Sequence, residues 1–166
     1  MITRFTKQLK GAVVLGALLV GSNTFAQLGL NWSEMGPNDI AGRCRSILVD
    51  KTDPLGNRMF AAGVSGGVFK SLNAGANWSP VNDQSQSLIV SCMAQDGTGN
   101  VYFGTGETFG RGGNGAGSSG FIGTGLYRIS TTSSVSLVKD SSFFGDINEV
   151  AISTANVIYV AGQKGF

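Results

Sequence analysis

The sequence predicts an all-β chain organised as a β-propeller of four-stranded blades, and three observations carry that expectation. A strand–turn–strand segment recurs three times: residues 46–50 with 58–63, residues 92–96 with 100–104, and residues 149–153 with 156–162. Met59 and Val101 lie 42 positions apart, the size of one blade, and Val101 and Val157 lie 56 apart. The excess of 14 falls in one loop between Gly104 and Gly125, where Gly fills ten positions. Beyond residue 26 no helical period stands out.

The first element is an export signal over residues 1–26. Arg4, Lys7 and Lys10 precede an apolar stretch from Gly11 to Val20, and Thr24-Phe25-Ala26 offers a small-residue cleavage site. The apolar stretch is about half the ~20 residues a spanning helix needs, so no membrane insertion is expected once the signal is removed. No Cys follows the cleavage site to carry a lipid. Three of the 12 Lys and Arg leave with the signal and none of the 10 Asp and Glu, so the mature chain has net charge −1. A basic footprint for nucleic acid is missing.

Residues 27–41 follow, with Trp32-Ser33-Glu34-Met35 matching Trp78-Ser79-Pro80-Val81. The match suggests a lone fourth strand that closes the ring against the last blade. Blade one covers residues 42–83. Its inner strand, 45–50, is apolar on both faces at Ile47-Leu48-Val49, as a strand between two blades should be. Asp53-Pro54-Leu55-Gly56-Asn57 is a turn. Residues 59–62, 68–71 and 78–81 make the remaining strands, with Pro80 on an outer edge that needs no donor. Blade two covers residues 84–140, with strands at 88–95, 100–104, 126–129 and 135–138. Blade three, 141–166, is cut short. A ring needs roughly 4–8 blades, so the chain is expected to be an N-terminal fragment of about two and a half blades, whose partners include the missing C-terminal blades. A complete small β-sandwich is the competing architecture.

Ser71-Leu72-Asn73-Ala74-Gly75-Ala76-Asn77-Trp78 resembles the Asp-box, the Ser/Thr-x-Asp-x-Gly-x-Thr-Trp hairpin of bacterial-neuraminidase-type repeats. Ser71, Asn73, Gly75 and Trp78 take its structural positions. Asn73 keeps the forward-bonding side chain without the charge, and Gly75 supplies a positive φ. In blade two the counterpart, Ile129-Ser130-Thr131-Thr132-Ser133-Ser134, has lost the motif. Together with Ala62-Gly63, Gly66-Gly67-Val68-Phe69-Lys70-Ser71 and Tyr102-Phe103-Gly104-Thr105-Gly106-Glu107, this resembles the opening of secreted sortilin-like and xyloglucanase-like propellers. The resemblance implies a secreted or cell-surface protein, in some relatives delivered by type IX secretion, and a ligand seated over the central tunnel. Where xyloglucanase-type hydrolases carry a catalytic Asp, this chain has Val64, which can neither accept a proton nor attack a sugar.

The expected function is therefore a non-catalytic module that binds a glycan or protein ligand. Arg43, Glu107, Phe109 and Arg111 are the candidate ligand contacts. Glu107 leaves a strand at the mouth of the glycine-rich loop, where it either meets a ligand or bonds local backbone N–H groups. Arg43 and Arg45 open the first strand near the tunnel. The alternative is a glycoside hydrolase, sialidase-like or xyloglucanase-like, with Glu107 or Asp39 contributing and further carboxylates beyond residue 166. A structural stability factor for a membrane complex is a third possibility, and it lacks the expected charged patch.

No cofactor is expected. Gly115-Ala116-Gly117-Ser118-Ser119-Gly120 matches Gly-x-Gly-x-x-Gly, but no helix follows to receive a pyrophosphate. Without His, and with two Cys only, no metal site is expected. Cys44 and Cys92 sit on neighbouring inner strands but two positions out of step, which favours two thiols over a disulfide.

Overall fold

The computed structural model describes residues 43–81, 87–107 and 120–165. The expected signal and closing strand, together with Asp39, Phe109 and Arg111, lie outside the described residues. What is described is all-β, save one helical turn, α1 (Ser141–Phe144), capped by Asp140 through the Ser142 N–H.

Three antiparallel sheets are laid down in chain order. The first runs β1 (Cys44–Val49), β2 (Met59–Gly63), β3 (Gly67–Ser71) and β4 (Ser79–Pro80), each strand paired with the next. The second repeats this order with β5 (Cys92–Gln95), β6 (Val101–Gly104), β7 (Gly125–Ile129) and β8 (Val135–Asp140). The third pairs β9 (Ile147–Ile152) with β10 (Ile158–Gly162). Pro80 pairs with Phe69 on an outer strand, where its missing N–H costs no ladder bond. The inner strand of the second sheet is shorter than expected, because residues 87–91 are not in strand conformation, although the Ser91 N–H still donates to the Gly104 carbonyl.

Alternation along the second sheet explains the stacking. Met93, Val101, Phe103, Tyr127 and Ile129 point one way and join Phe60, Ala62 and Val68 of the first sheet in a common core. Phe103 and Tyr127 stack there at 5.2 Å between ring centroids. Cys92, Ala94, Tyr102 and Leu126 point the other way, onto Ile147, Val150 and Val160 of the third sheet. The inner strands lie side by side, β1 on β5 and β5 on β9. A strand buried on both faces reads as apolar at every position, which is why periodicity alone fixes its place poorly.

Two expectations need correction. Ile47 and Val49 are 64% and 51% exposed, so β1 is buried on one face only: within the described residues no sheet covers the other. The third repeat is also displaced by one residue. Val101 pairs with Gln95 and Ile158 with Ile152, so Ile158, not Val157, is the counterpart of Val101. Asn156 resembles Asn100 in sequence, but it takes the place of Gly99. Both hold a positive φ (60° and 92°) in turns closed by the Ser153 N–H to Val157 carbonyl bond and the Asp96 N–H to Asn100 carbonyl bond. A shift of one residue exchanges the two faces of a strand, so Tyr159 matches Tyr102 rather than Phe103.

The turns after the inner strands form a second repeated device. Asp50 accepts from the N–H and hydroxyl of Thr52, and Asp96 accepts in the same way from Thr98. These turns also tie neighbouring sheets. Gln95 accepts from the Lys51 N–H at 2.8 Å and donates to Asp50 at 2.6 Å, and Asn156 accepts from the Gly97 N–H at 2.8 Å. Asp50 also pairs with Arg58. Burial opposes its ionisation, but the bonds from Thr52, Gln95 and Arg58 outweigh it and bring the carboxyl down to about 2.

Candidate functional site

At the opposite end of the sheets, each inner strand begins beside the end of its partner. Cys44 pairs with Gly63, Cys92 with Gly104, and Ile147 with Gly162. Residues just before an inner strand or just after a second strand therefore gather at one end of the stack. Arg43, Val64, Thr105-Gly106-Glu107 and Asp146 occupy those positions.

The structure brings Arg43 and Glu107 together across 64 residues of sequence. Arg43 donates through Nη2 to Glu107 Oε1, and Arg45 donates to the same oxygen through Nη1 at 3.0 Å. The Glu107 side chain is 8% exposed and that of Arg43 is 59% exposed, so the carboxylate lies beneath an open guanidinium. Among the described residues, the partners of the Glu107 carboxylate are two arginines, Arg43 and Arg45. The Arg43 guanidinium, exposed at this end, has more N–H donors than Glu107 Oε1 can occupy.

Glu107 owes its place to the residue pair before it. Thr105 is fully buried, and its hydroxyl donates to the Gly125 carbonyl at 2.7 Å while accepting from the Thr124 and Gly125 N–H groups at 2.9 and 2.8 Å. The Thr105 carbonyl accepts from the Ile147 N–H, and the Glu107 N–H donates to the Phe121 carbonyl at 2.9 Å. Both feet of the glycine-rich loop are thereby clamped together, and to the third sheet. Gly106 turns the chain at φ 102°, and a Cβ there would lie 2.6 Å from Asp146 Oδ1. Glycine is required by both the backbone and the space.

Asp146 is a site residue that the sequence reading did not single out. It is 2% exposed, accepts from the Gly123 N–H at 2.7 Å, and stands against Gly106, next to Glu107. The signal that could have found it is positional. Asp146 immediately precedes the third inner strand, as Arg43 precedes the first. Val64, at the position of the hydrolases' acid, is buried and donates its N–H to the Arg43 carbonyl.

The motif hairpin lies elsewhere, between β3 and β4. Ser71 is buried and its hydroxyl accepts from the Gly75 N–H at 2.8 Å, while Asn73 Oδ1 accepts from the Asn77 N–H at 2.8 Å. Gly75 has φ 88° and Ala74 φ 54°. Trp78 is half-buried. In the shorter hairpin of the second sheet, Ser130 does what Ser71 does, accepting from the N–H four residues on, at Ser134. These bonds hold turns, remote from Arg43 and Glu107.

Cys44 is an exposed thiol and Cys92 a buried one whose pKa burial raises. Among the described residues no three of His, Cys, Asp or Glu gather in a metal-binding group. No protein-family model matches the chain, and none of the curated proteins matches it.

Proposed function

We propose that the chain is part of an exported β-propeller of the Asp-box type, and that it binds an acidic glycan or protein ligand at the Arg43–Glu107–Arg45 end of its sheets without catalysing a reaction. Three sheets laid down in order, the second packed on both faces between its neighbours and all starting their inner strands at the same end, support the propeller reading. The hairpin geometry of Ser71, Asn73 and Gly75 supports the Asp-box resemblance. The observation that carries the binding reading is Glu107 held beneath two arginines, of which Arg43 opens to solvent. A carboxylate so engaged is a poor general acid or nucleophile. A guanidinium so oriented is a good seat for a ligand carboxylate or sulfate.

The alternative, glycoside hydrolysis, is favoured by one observation: the buried carboxylates of Glu107 and Asp146 flank Gly106. Glycosidases use two carboxyl groups on either side of the scissile bond. Here Glu107 Oε1 is engaged by two arginines and Asp146 Oδ1 by the Gly123 N–H, so binding remains the preferred reading.

Affinity electrophoresis distinguishes them from a silent scaffold. The purified chain should be retarded in gels containing polygalacturonate, heparin or polyglutamate, and not in gels containing neutral dextran. Retardation by dextran alone, or by none of the four, would overturn the proposed acidic ligand. Release of reducing sugar from polygalacturonate would shift the assignment to a hydrolase.

A further inference from the structure

The hairpin between β3 and β4 carries more polar groups than its turn needs. Where the resembled motif has Asp and Thr, this chain has Asn73 and Asn77. Asn73 Oδ1 accepts from the Asn77 N–H at 2.8 Å and from the Ser71 hydroxyl at 3.0 Å. Asn77 serves the turn through that N–H alone. Among the described residues, the bonds of the hairpin leave over the Nδ2 donor of Asn73 and the whole carboxamide of Asn77, and both residues are exposed.

These two carboxamides stand in an open cleft of about 230 Å³, lined by Lys70, Leu72, Asn73, Asn77, Trp78 and Ser79. Trp78 is half-buried and Leu72 is 64% exposed. Lys70 pairs with Phe60 across the ladder, and cross-strand partners share a face. Phe60 packs toward the second sheet, and Lys70 Nζ donates to Ser133 Oγ in the second sheet's own hairpin at 2.5 Å. The neighbour on that side is already in place, so the cleft is no face awaiting another sheet. The Ala74 N–H donates to the Asn57 carbonyl in the turn after β1, which puts the cleft at the end of the stack opposite Arg43.

We propose that this cleft is a subsite for one N-acetylhexosamine residue of a glycan. A pyranose has an apolar C–H face for an aromatic side chain to cover, and Trp78 is the aromatic here. The acetamido group has one donor and one acceptor, and the carboxamides of Asn73 and Asn77 supply both in return. Leu72 lines the same cleft and offers apolar contact to the acetyl methyl group. An ionic ligand is poorly served: no carboxylate lines the cleft, and its one cation, Lys70, is bonded to Ser133. Drug-sized pockets run to roughly 300–1,000 Å³, so this smaller cleft suits a single ring. The bonds of Ser71 and Asn73 fix the hairpin before a ligand arrives, which lowers the entropic cost of binding. The inference goes beyond the acidic-ligand site proposed above and does not depend on it.

Saturation-transfer NMR tests it on the purified chain, with triacetylchitotriose as the probe. Cellotriose, which has the same rings and linkage without acetamido groups, is the control. An open site for one ring is expected to bind with a Kd of about millimolar, a range this measurement reads. Wild type and Arg43→Ala should both saturate the acetyl methyl signal of the probe. Asn77→Ala and Leu72→Ser should each lower it at least fivefold while melting at the wild-type temperature, since both positions are exposed. Equal transfer to cellotriose would overturn the inference. So would no transfer to the probe, or transfer that either cleft variant keeps. Loss of the signal in Arg43→Ala would place the sugar at the other end and overturn it as well.

Discussion

At the residue scale, the ionised side chains divide between two ends with different work. Asp50 is a structural anion: 1% exposed, paired with Arg58, and bonded by Thr52 and Gln95. Its carboxyl is lowered from 3.8 to about 2, so its contribution to stability is complete above the unfolded value of 3.8. That contribution disappears as pH falls through about 2. A shift of this size is worth on the order of 2 kcal/mol. Asp50→Asn should therefore be less stable than wild type by about that amount at pH 7. The gap should narrow steadily in urea unfolding curves recorded between pH 4 and pH 2. A gap independent of pH would mean that the charge of Asp50 contributes nothing. Glu107 is the anion of the proposed binding end, held by Arg43 and Arg45. Its partnership was only partly legible in the sequence. Arg43, Arg45 and Glu107 each stood out, but a bond across 64 residues depends on sheet-to-sheet packing, which no local pattern encodes.

At the element scale, most strands could be read from the sequence, because β-branched and aromatic runs bounded by Gly, Asn and Asp have few other uses. The misreadings have physical causes. Ile47-Leu48-Val49 is apolar at every position, and such a run does not say whether both faces or one find a neighbour. Asn156 looked like Asn100 because both precede a strand, but Asn also tolerates the left-handed conformation that Gly99 adopts. The second strands show how closely the sheets are fitted. Gly104 holds the position of Ala62, yet a Cβ there would run into Ile147 and approach Cys92 Sγ within 2.9 Å. Gly104→Ala should cost about 1–3 kcal/mol, as overpacking does in well-filled cores. Thermal melts followed by circular dichroism would show it; an unchanged midpoint would mean that the second and third sheets pack more loosely than described.

At the scale of the whole molecule, the two ends of the sheets carry different sets of side chains. One end carries repeated Asp turns with Gln95 and Asn156 strapping each sheet to the next. The other gathers Arg43, Arg45, Glu107 and Asp146, one residue or two from each sheet, around the feet of the glycine-rich loop. The central claim is that an arginine opened to solvent above Glu107 recognises an acidic ligand. The most direct measurement is a glycan and peptide array probed with wild type, with Arg43→Ala, and with Lys51→Ala as a basic-residue control at the far end. Wild type and Lys51→Ala should share one profile of acidic features, and Arg43→Ala should lose at least tenfold of that signal while melting at the wild-type temperature. An Arg43→Ala profile identical to that of the wild type would contradict the account.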